Sequence, residues 1–423
     1  MKKAILPILF LFACLQSFAS FNEWFLDKTL RIDYFHSGNS QSESYSIDQL
    51  KSEPFWGGSH TILTDTLNYG EYYVKAFDVA TNKLIYSHGY CTLFAEWQFT
   101  EEAKHTSRTF SETVIMPFPK NDVRLEFYSR DFMGIYQKKF EYLVEAKSYF
   151  ITEERQMVYP VYDALLSGEA AKKIDIVILP EGYTAAEMDK FKADCDKFTS
   201  GLFAFEPYKQ NREKFNIRGI LAPSAESGTD IPGDKVWRNT IMNSSFYTFD
   251  SERYLMTTDN KSVRNLSANA PYDQIYILVN STKYGGGAIY NHYNTSINSN
   301  DFSSKIFVHE FGHGFAALGD EYDDGSTSFN DIYPTNLEPW EPNITTLVNF
   351  DSKWKAMLAP NTPIPTPMDN YEAMKLGVYE GAGYVAKGLY RPAPDCLMRS
   401  FDVNSFCPVC SAAIQRMIDL YTK

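Results

Sequence analysis

The strongest chemical pattern in the sequence is HEFGH, in which His309 and His313 stand four residues apart and Glu310 follows the first histidine. Residues at positions i and i+4 lie on one face of an α-helix, so the two imidazoles can converge on a single zinc ion. Glu310 is turned by about 100 degrees from His309 on a helix of 3.6 residues per turn, which places its carboxylate beside the ion. The pattern therefore predicts a zinc site with an adjacent general base.

A catalytic zinc site needs a third protein ligand and one open position. Asp320 follows His313 by seven residues, which would be about two turns and ~10 Å along an uninterrupted helix. Gly319 is expected to end the helix in the left-handed conformation, so that the chain turns back and brings Asp320 to the ion. Glu321 is the alternative third ligand.

Such a site can hydrolyse peptide bonds without a covalent intermediate. Zinc polarises a carbonyl and lowers the pKa of a water molecule towards ~7, and Glu310 can accept the water proton and pass it to the leaving amine. The competing interpretation is a helix with two buried core histidines, because HExxH occurs by chance in unrelated helices. The apolar helix and the Gly-Asp-Glu sequence after it favour the zinc hydrolase.

The elements around this motif predict an α/β (α+β) domain over residues 156–423. The apolar run Ile174–Leu179 is typical of a strand that is buried on both faces. Two further strands are predicted in KFNIRGILAP and DQIYILVNS, and helices in AAEMDKFKADCDKFTSGLF and around the two histidines. Strands that alternate with helices are characteristic of this fold class.

The segment YGGGAI directly after the last of these strands is a candidate substrate-binding element. Three successive glycines suit a place where another backbone approaches closely, such as a substrate strand that pairs with a sheet edge. A flexible loop is an equally good interpretation. The residues concerned are Tyr284, Gly285, Gly286 and Gly287.

Residues 20–155 show short alternating runs separated by turn residues, which predicts an all-β sandwich. YYVKAFDVATNKLIYS is predicted to form a hairpin around ATN, and VRLEFYSRD and GIYQKKFEYLV are predicted strands. The role expected of this domain is structural or in docking.

The first residues predict export. Residues 1–19 have two lysines, a short apolar run and small residues before Ala19, as in a secretory signal peptide. A lipid anchor at Cys14 is the less favoured alternative, and no segment has the roughly 20 apolar residues of a membrane-spanning helix. We therefore expect a secreted or cell-surface protein.

Composition limits the partners. The net charge of −13 disfavours nucleic acid, whose binding depends on Lys and Arg. The expected partner is a protein or peptide substrate. In an exported chain a local disulfide among Cys396, Cys407 and Cys410 is plausible, and the sequence does not say which pair forms. A zinc knuckle is a minority interpretation, because no histidine lies near these cysteines.

Three stretches in the right order, HEFGHGFAALGDEY, YDQIYILVNSTKYGGGA and GAGYVAKGLYRPAPDCLM, resemble the bacterial immunoglobulin A peptidase family of metallopeptidases (M64), within the metzincin-like zinc proteases. The resemblance extends from about Ile174 to the C-terminus. The β-rich segment before it resembles the N-terminal domain that often accompanies this family. The sequence also departs from the common metzincin pattern HExxHxxGxxH/D, because Ala316 and Gly319 occupy the positions of its glycine and last ligand.

The resemblance implies roles residue by residue. His309, His313 and Asp320 would hold zinc, Glu310 would be the general base, and Met398 would form a Met-turn beneath the metal. YGGGAI would be the upper edge strand that aligns the substrate, and the C-terminal helix would pack under the site. The predicted function is a secreted zinc-dependent endopeptidase, with host glycoproteins such as immunoglobulin A as substrate. The alternative is a glycan- or protein-binding surface module with a vestigial metallopeptidase domain.

Overall fold

A computed structural model of the chain describes residues 21–325, 332–368 and 371–423, and the predicted signal peptide lies outside them. The described residues form four β-sheets and six α-helices. No helix within these ranges is long and apolar enough to cross a lipid bilayer.

Two four-stranded sheets make up the N-terminal region. The first has the strand order β5-β1-β2-β8 and the second has the order β4-β3-β6-β7. Aromatic side chains join their facing sides, with the Tyr34 and Phe127 rings 5.3 Å apart and the Tyr45 and Phe140 rings 6.1 Å apart. The strands are β1 (Phe25–Gly38), β2 (Glu43–Glu53), β3 (Tyr72–Asp78), β4 (Leu84–Tyr90), β5 (Arg108–Pro119), β6 (Val123–Arg130), β7 (Tyr136–Val144) and β8 (Ile151–Thr152).

The predicted hairpin is confirmed, because β3 and β4 pair as antiparallel neighbours. The expectation of an all-β region was wrong in one respect, since it contains the short helices α1 (Phe21–Trp24) and α2 (Leu93–Gln98). Both are too short to show a helical period in the sequence. Helix α2 matters for function because it reaches the cleft described below.

A six-stranded mixed sheet forms the centre of the C-terminal region, in the order β13-β14-β12-β10-β11-β9. Strands β10 and β12 are buried along their whole length, which explains their almost continuous apolar sequences. Antiparallel strands occupy both edges of the sheet. The strands are β9 (Val161–Leu165), β10 (Ile174–Glu181), β11 (Phe215–Ile220), β12 (Gln274–Val279), β13 (Gly286–Ile289) and β14 (Tyr293–Ile297); β15 (Tyr379–Ala382) and β16 (Val385–Arg391) form a separate hairpin.

The helices pack on this sheet and on one another. Phe307 of the central helix α5 stacks on Tyr276 of β12 at 3.9 Å and lies 5.0 Å from Phe198 of α3. The C-terminal helix packs against α5, with the Phe315 and Tyr421 rings 5.7 Å apart. The remaining helices are α3 (Met188–Leu202), α4 (Asn260–Ser267), α5 (Ser303–Ala316) and α6 (Pro408–Tyr421).

The two regions share one hydrophobic core. The last strand of the first sheet ends at Thr152 and the first strand of the six-stranded sheet begins at Val161. The predicted boundary at residue 155 falls between these two strands. Helix α4 also packs against β5, so the N-terminal region is in direct contact with the elements that surround the histidine helix.

Candidate metal centre and cleft

Helix α5 presents both histidines to the same point. The Nε2 atoms of His309 and His313 are 3.0 Å apart. Their Nδ1 atoms lie 2.9 Å from the carbonyl oxygen of Leu397 and 2.5 Å from that of Leu318. A carbonyl can only accept, so each Nδ1 carries the proton and each Nε2 offers its lone pair to a metal ion.

The helix ends differently from the prediction. The residue in the left-handed conformation is Ala317, with φ of 59°, and not Gly319. Alanine rarely adopts this conformation, so sequence alone favoured the glycine. Gly319 instead allows close packing: its N–H donates to Asn343 Oδ1 at 2.7 Å, Asn343 Nδ2 donates to its carbonyl at 2.9 Å, and a Cβ there would lie 2.9 Å from Ile344.

The turn brings Asp320 to the histidines. Its Oδ1 lies 3.3 Å from the Nε2 atoms of both His309 and His313. Apart from these imidazoles it has no hydrogen-bond partner among the described residues, although it is buried. The other oxygen accepts a hydrogen bond from Tyr384 at 2.6 Å. Glu321 points away, with Oε1 2.9 Å from Asn343 Nδ2.

These three donor atoms fit a tetrahedral zinc ion. Two ligand atoms at about 2.0–2.1 Å from such an ion lie ~3.3 Å apart, and the observed separations are 3.0, 3.3 and 3.3 Å. Two imidazoles and one carboxylate are also a donor set that zinc prefers. An ion held by His309, His313 and Asp320 would keep its fourth position open.

The electrostatics of the three groups indicate a site suited to positive charge. Burial opposes a charged imidazole, yet the Asp320 carboxylate raises the pKa of His313 to about 9. Burial would raise the pKa of Asp320, but the two histidines hold it well below its usual value. The carboxylate thus stabilises a cation between the imidazoles, whether that cation is a proton or a metal ion.

Glu310 lies beside the three ligand atoms, against strand β13. A Cβ at Gly286 would be 2.9 Å from its Oε1, so glycine is required there for the strand to approach the carboxylate. Burial raises the pKa of Glu310, an effect that the nearby His309 and His313 oppose. The cluster of His309, Glu310 and His313 has the composition of a metal site.

A cavity of about 380 Å³ opens above the cluster and is lined by His309, Glu310, His313 and Asp320 together with all four residues of the Tyr284–Gly287 segment. Ala95 and Glu96 of helix α2 form part of the wall. The N-terminal region therefore contributes to the cleft, which no local sequence pattern indicated.

The glycine segment leads into the edge strand β13, but some backbone groups on the outer side of this strand already make hydrogen bonds within the chain. The N–H of Gly286 donates to the carbonyl of Arg253 and its carbonyl accepts from the N–H of Leu255, both at 3.2 Å. Ala288, two residues further, presents its backbone to the same side because strand residues alternate. It is partly exposed and lines the cavity, so Ala288 is the position where an extended peptide could pair.

Met398 lies under helix α5. It is fully buried, and its Sδ would be 2.9 Å from a Cβ at Gly312, one residue before His313. Its carbonyl oxygen accepts a hydrogen bond from the Glu321 N–H at 2.9 Å. The segment of Leu397 and Met398 thus supports the first histidine and the turn that contains Asp320.

Sequence reasoning missed the residues that orient the ligands. Tyr384 and Asn343 are distant in sequence from the residues they bind, and no spacing rule connects either of them to those residues. The one available signal for Tyr384 is its place in GAGYV, since a tight turn that contains glycine can fix the direction of a side chain. Tyr384 adopts a left-handed backbone conformation in this turn, with φ of 70°.

Two family profiles match the chain. The profile described as IgA Peptidase M64 matches residues 163–377 and 368–418. The profile described as Peptidase M64 N-terminus matches residues 20–141. No curated protein matches the chain. The family matches include every residue of the candidate centre and most strands of the two sheets that precede it.

Proposed function

Because this chain belongs to the IgA Peptidase M64 family and is therefore a peptidase, we propose that it is an exported zinc-dependent endopeptidase. The observation that supports this most directly is the set of tetrahedral separations among His309, His313 and Asp320, beside the Glu310 carboxylate. We also propose that the catalytic region is metzincin-like, on the basis of Met398 beneath the histidine helix.

Zinc, when bound, would act as a Lewis acid on the scissile carbonyl and make a water molecule acidic. The residues of the chain would bind the ion, transfer the proton and align the substrate. His309, His313 and Asp320 would hold the ion, and Tyr384 fixes the Asp320 carboxylate. Glu310 would take the proton of the attacking water and return it to the leaving amine. The Ala288 edge would align the substrate backbone, with Tyr284 and the glycines forming the wall beside it.

Removal of the metal tests this function. We expect the mature protein to cleave members of a diverse peptide library, a chelator to abolish cleavage, and added zinc to restore it. Product fragments identified by mass spectrometry would locate the cleaved bonds. If no peptide is cleaved with zinc present, or if cleavage survives complete removal of metal, the proposal is wrong.

The cleft wall suggests the substrate class. Glu71, Glu96 and Glu341 line the cavity, and the charges of all three act on the buried Cys91. Burial raises the pKa of Glu96 to about 8 and that of Glu341 to about 7. An incoming ammonium or guanidinium group would favour their ionised forms.

One of these acids has a carboxylate oxygen without a hydrogen-bond partner among the described residues. Glu341 Oε1 accepts from Tyr333 at 3.0 Å, but its Oε2 is buried without a hydrogen bond among the described residues. Lys353 is a nearby cation that does not line the cavity, and its Nζ donates to the Glu341 backbone carbonyl. We propose that Glu341 receives a basic side chain of the substrate.

This proposal predicts a preference for basic residues. Peptides with Lys or Arg at one subsite should show about tenfold higher kcat/KM than the same peptides with norleucine, since a hydrogen bond to a charged group contributes roughly 1.5–3 kcal/mol. Glu341→Gln should reduce the preference, and Glu213→Gln at an exposed position should not. Equal kcat/KM for lysine and norleucine peptides would refute the specificity and leave the peptidase function standing.

Immunoglobulin A or another host glycoprotein as the natural substrate is a further proposal. It rests on the description of the family and on the export signal that the sequence predicts.

A further inference from the structure

A second cluster of metal-binding side chains lies in the core beside the catalytic centre. The sulfur atoms of Cys396, Cys407 and Cys410 and a carboxylate oxygen of Glu321 all lie within 4.8 Å of one another. All four residues are completely buried. The three cysteines form no disulfide with one another or with the other described cysteines, so the disulfide expected from the sequence is not observed.

The cluster is assembled from three parts of the chain. Cys407 is the N-cap of helix α6 and Cys410 lies in its first turn, in a Cys-x-x-Cys spacing that is typical of zinc ligands. Cys396 comes from the segment before Met398, and Glu321 from the turn after α5.

Hydrogen bonds within and between these parts connect the four residues. The N–H of Cys407 donates to Cys396 Sγ at 3.2 Å and the N–H of Cys410 to Cys407 Sγ at 3.4 Å. Cys410 Sγ lies 3.0 Å from Glu321 Oε1. Backbone N–H groups directed at sulfur stabilise the thiolate form, which is the form that binds metal.

This cluster differs from a core that is lined only by thiols, because one of its carboxylate oxygens has no hydrogen-bond partner in the described part of the chain. Glu321 Oε2 is buried and has no hydrogen-bond partner among the described residues. Arg391 is a nearby cation, but its Nη1 donates to the carbonyls of Glu380 and Gly381. A buried carboxyl oxygen without a hydrogen-bond partner is unfavourable. A disulfide between two of the cysteines would leave this oxygen without a partner, whereas a cation among the four donors would bind the carboxylate.

We propose that Cys396, Cys407, Cys410 and Glu321 form a second, structural zinc site. Four protein ligands and no open position are the mark of a structural rather than a catalytic zinc. Sulfur atoms at about 2.3 Å from a tetrahedral ion are ~3.8 Å apart, which the compact cluster can satisfy with small movements. With Glu321 as the fourth ligand, the zinc-knuckle interpretation no longer lacks a donor.

An ion in the cysteine site would also stabilise the segments that form the histidine site. Asp320 and Glu321 are adjacent, so one turn would supply a ligand to each ion. Cys396 is followed by Leu397, whose carbonyl orients His309. Metal in the cysteine site would hold both segments in place, as outer-shell contacts do in other zinc centres.

Metal content and cobalt spectroscopy on the full mature chain test the proposal. Wild type should contain about two zinc equivalents, and His313→Ala about one. When cobalt replaces zinc, wild type and His313→Ala should both show the strong near-ultraviolet absorption of thiolate-bound cobalt. Cys410→Ser should lose this absorption, and Cys195→Ala, which removes a buried cysteine elsewhere, should keep it.

Cys410→Ser could fail to fold, so His313→Ala provides the second measurement. Thiolate-to-cobalt absorption in His313→Ala supports the cysteine site irrespective of peptidase activity. The proposal is overturned if wild type shows no thiolate-to-cobalt absorption, or if thiol titration of unfolded, unreduced protein shows two of these three cysteines in a disulfide.

Discussion

Glu310→Gln is expected to lower kcat by about 100- to 10,000-fold, the usual contribution of a positioned general base. The amide has the size of the carboxylate but cannot accept a proton at neutral pH. Gly286 fits closely against this side chain, and an isosteric change should not disturb the packing. Steady-state hydrolysis of the best library peptide measures the effect.

Two controls make the Glu310→Gln result specific. Zinc content should be unchanged, because the proposed ligand atoms belong to His309, His313 and Asp320. Glu213→Gln removes an exposed carboxylate and should retain wild-type kcat. If Glu310→Gln cleaves as fast as wild type, Glu310 is not the general base.

Asp320→Ala should have the other large effect, a loss of catalytic zinc together with activity. It removes one of the three proposed ligands and leaves Tyr384 without its acceptor. The zinc affinity of the histidine site should fall by more than the 10–100-fold that follows the loss of an outer-shell partner. Competition with a chromophoric chelator measures this affinity, and high zinc concentration should recover little activity.

The matched control is Asp301→Asn, which removes the charge of an exposed aspartate just before helix α5. It should bind zinc as wild type does. Zinc binding at the histidine site that is unchanged in Asp320→Ala would exclude Asp320 as the third ligand.

Features that depend on local pattern were predictable from the sequence. The continuous apolar runs became the buried strands β10 and β12, and the i, i+4 histidines lie on one face of α5. In the C-terminal helix, Ile414, Met417 and Ile418 stand at helical spacing and are buried.

Features that depend on distant contacts were not predictable. Ala317 takes the left-handed conformation assigned to Gly319. Gly319 instead fits between Ile344 and Asn343, residues that no spacing rule connects to it. The same reason explains why Glu321 was not recognised as a partner of the cysteines. It lies 89 positions from Cys410, and only the fold brings the two together.

The cleft also bears on the alternative of a binding module with a vestigial catalytic domain. Glu96 of helix α2 lines the same cavity as Glu310 and accepts a hydrogen bond from Tyr254. The N-terminal region thus completes the cleft of the C-terminal region, an arrangement that suits one peptidase better than a separate binding module.

Anomalous diffraction at the zinc absorption edge from crystals of the mature protein tests the central claim most directly. We predict a peak at about 2.0–2.2 Å from His309 Nε2, His313 Nε2 and Asp320 Oδ1. Absence of density at that point after zinc soaking, or an ion there that Asp320 does not contact, would contradict the account.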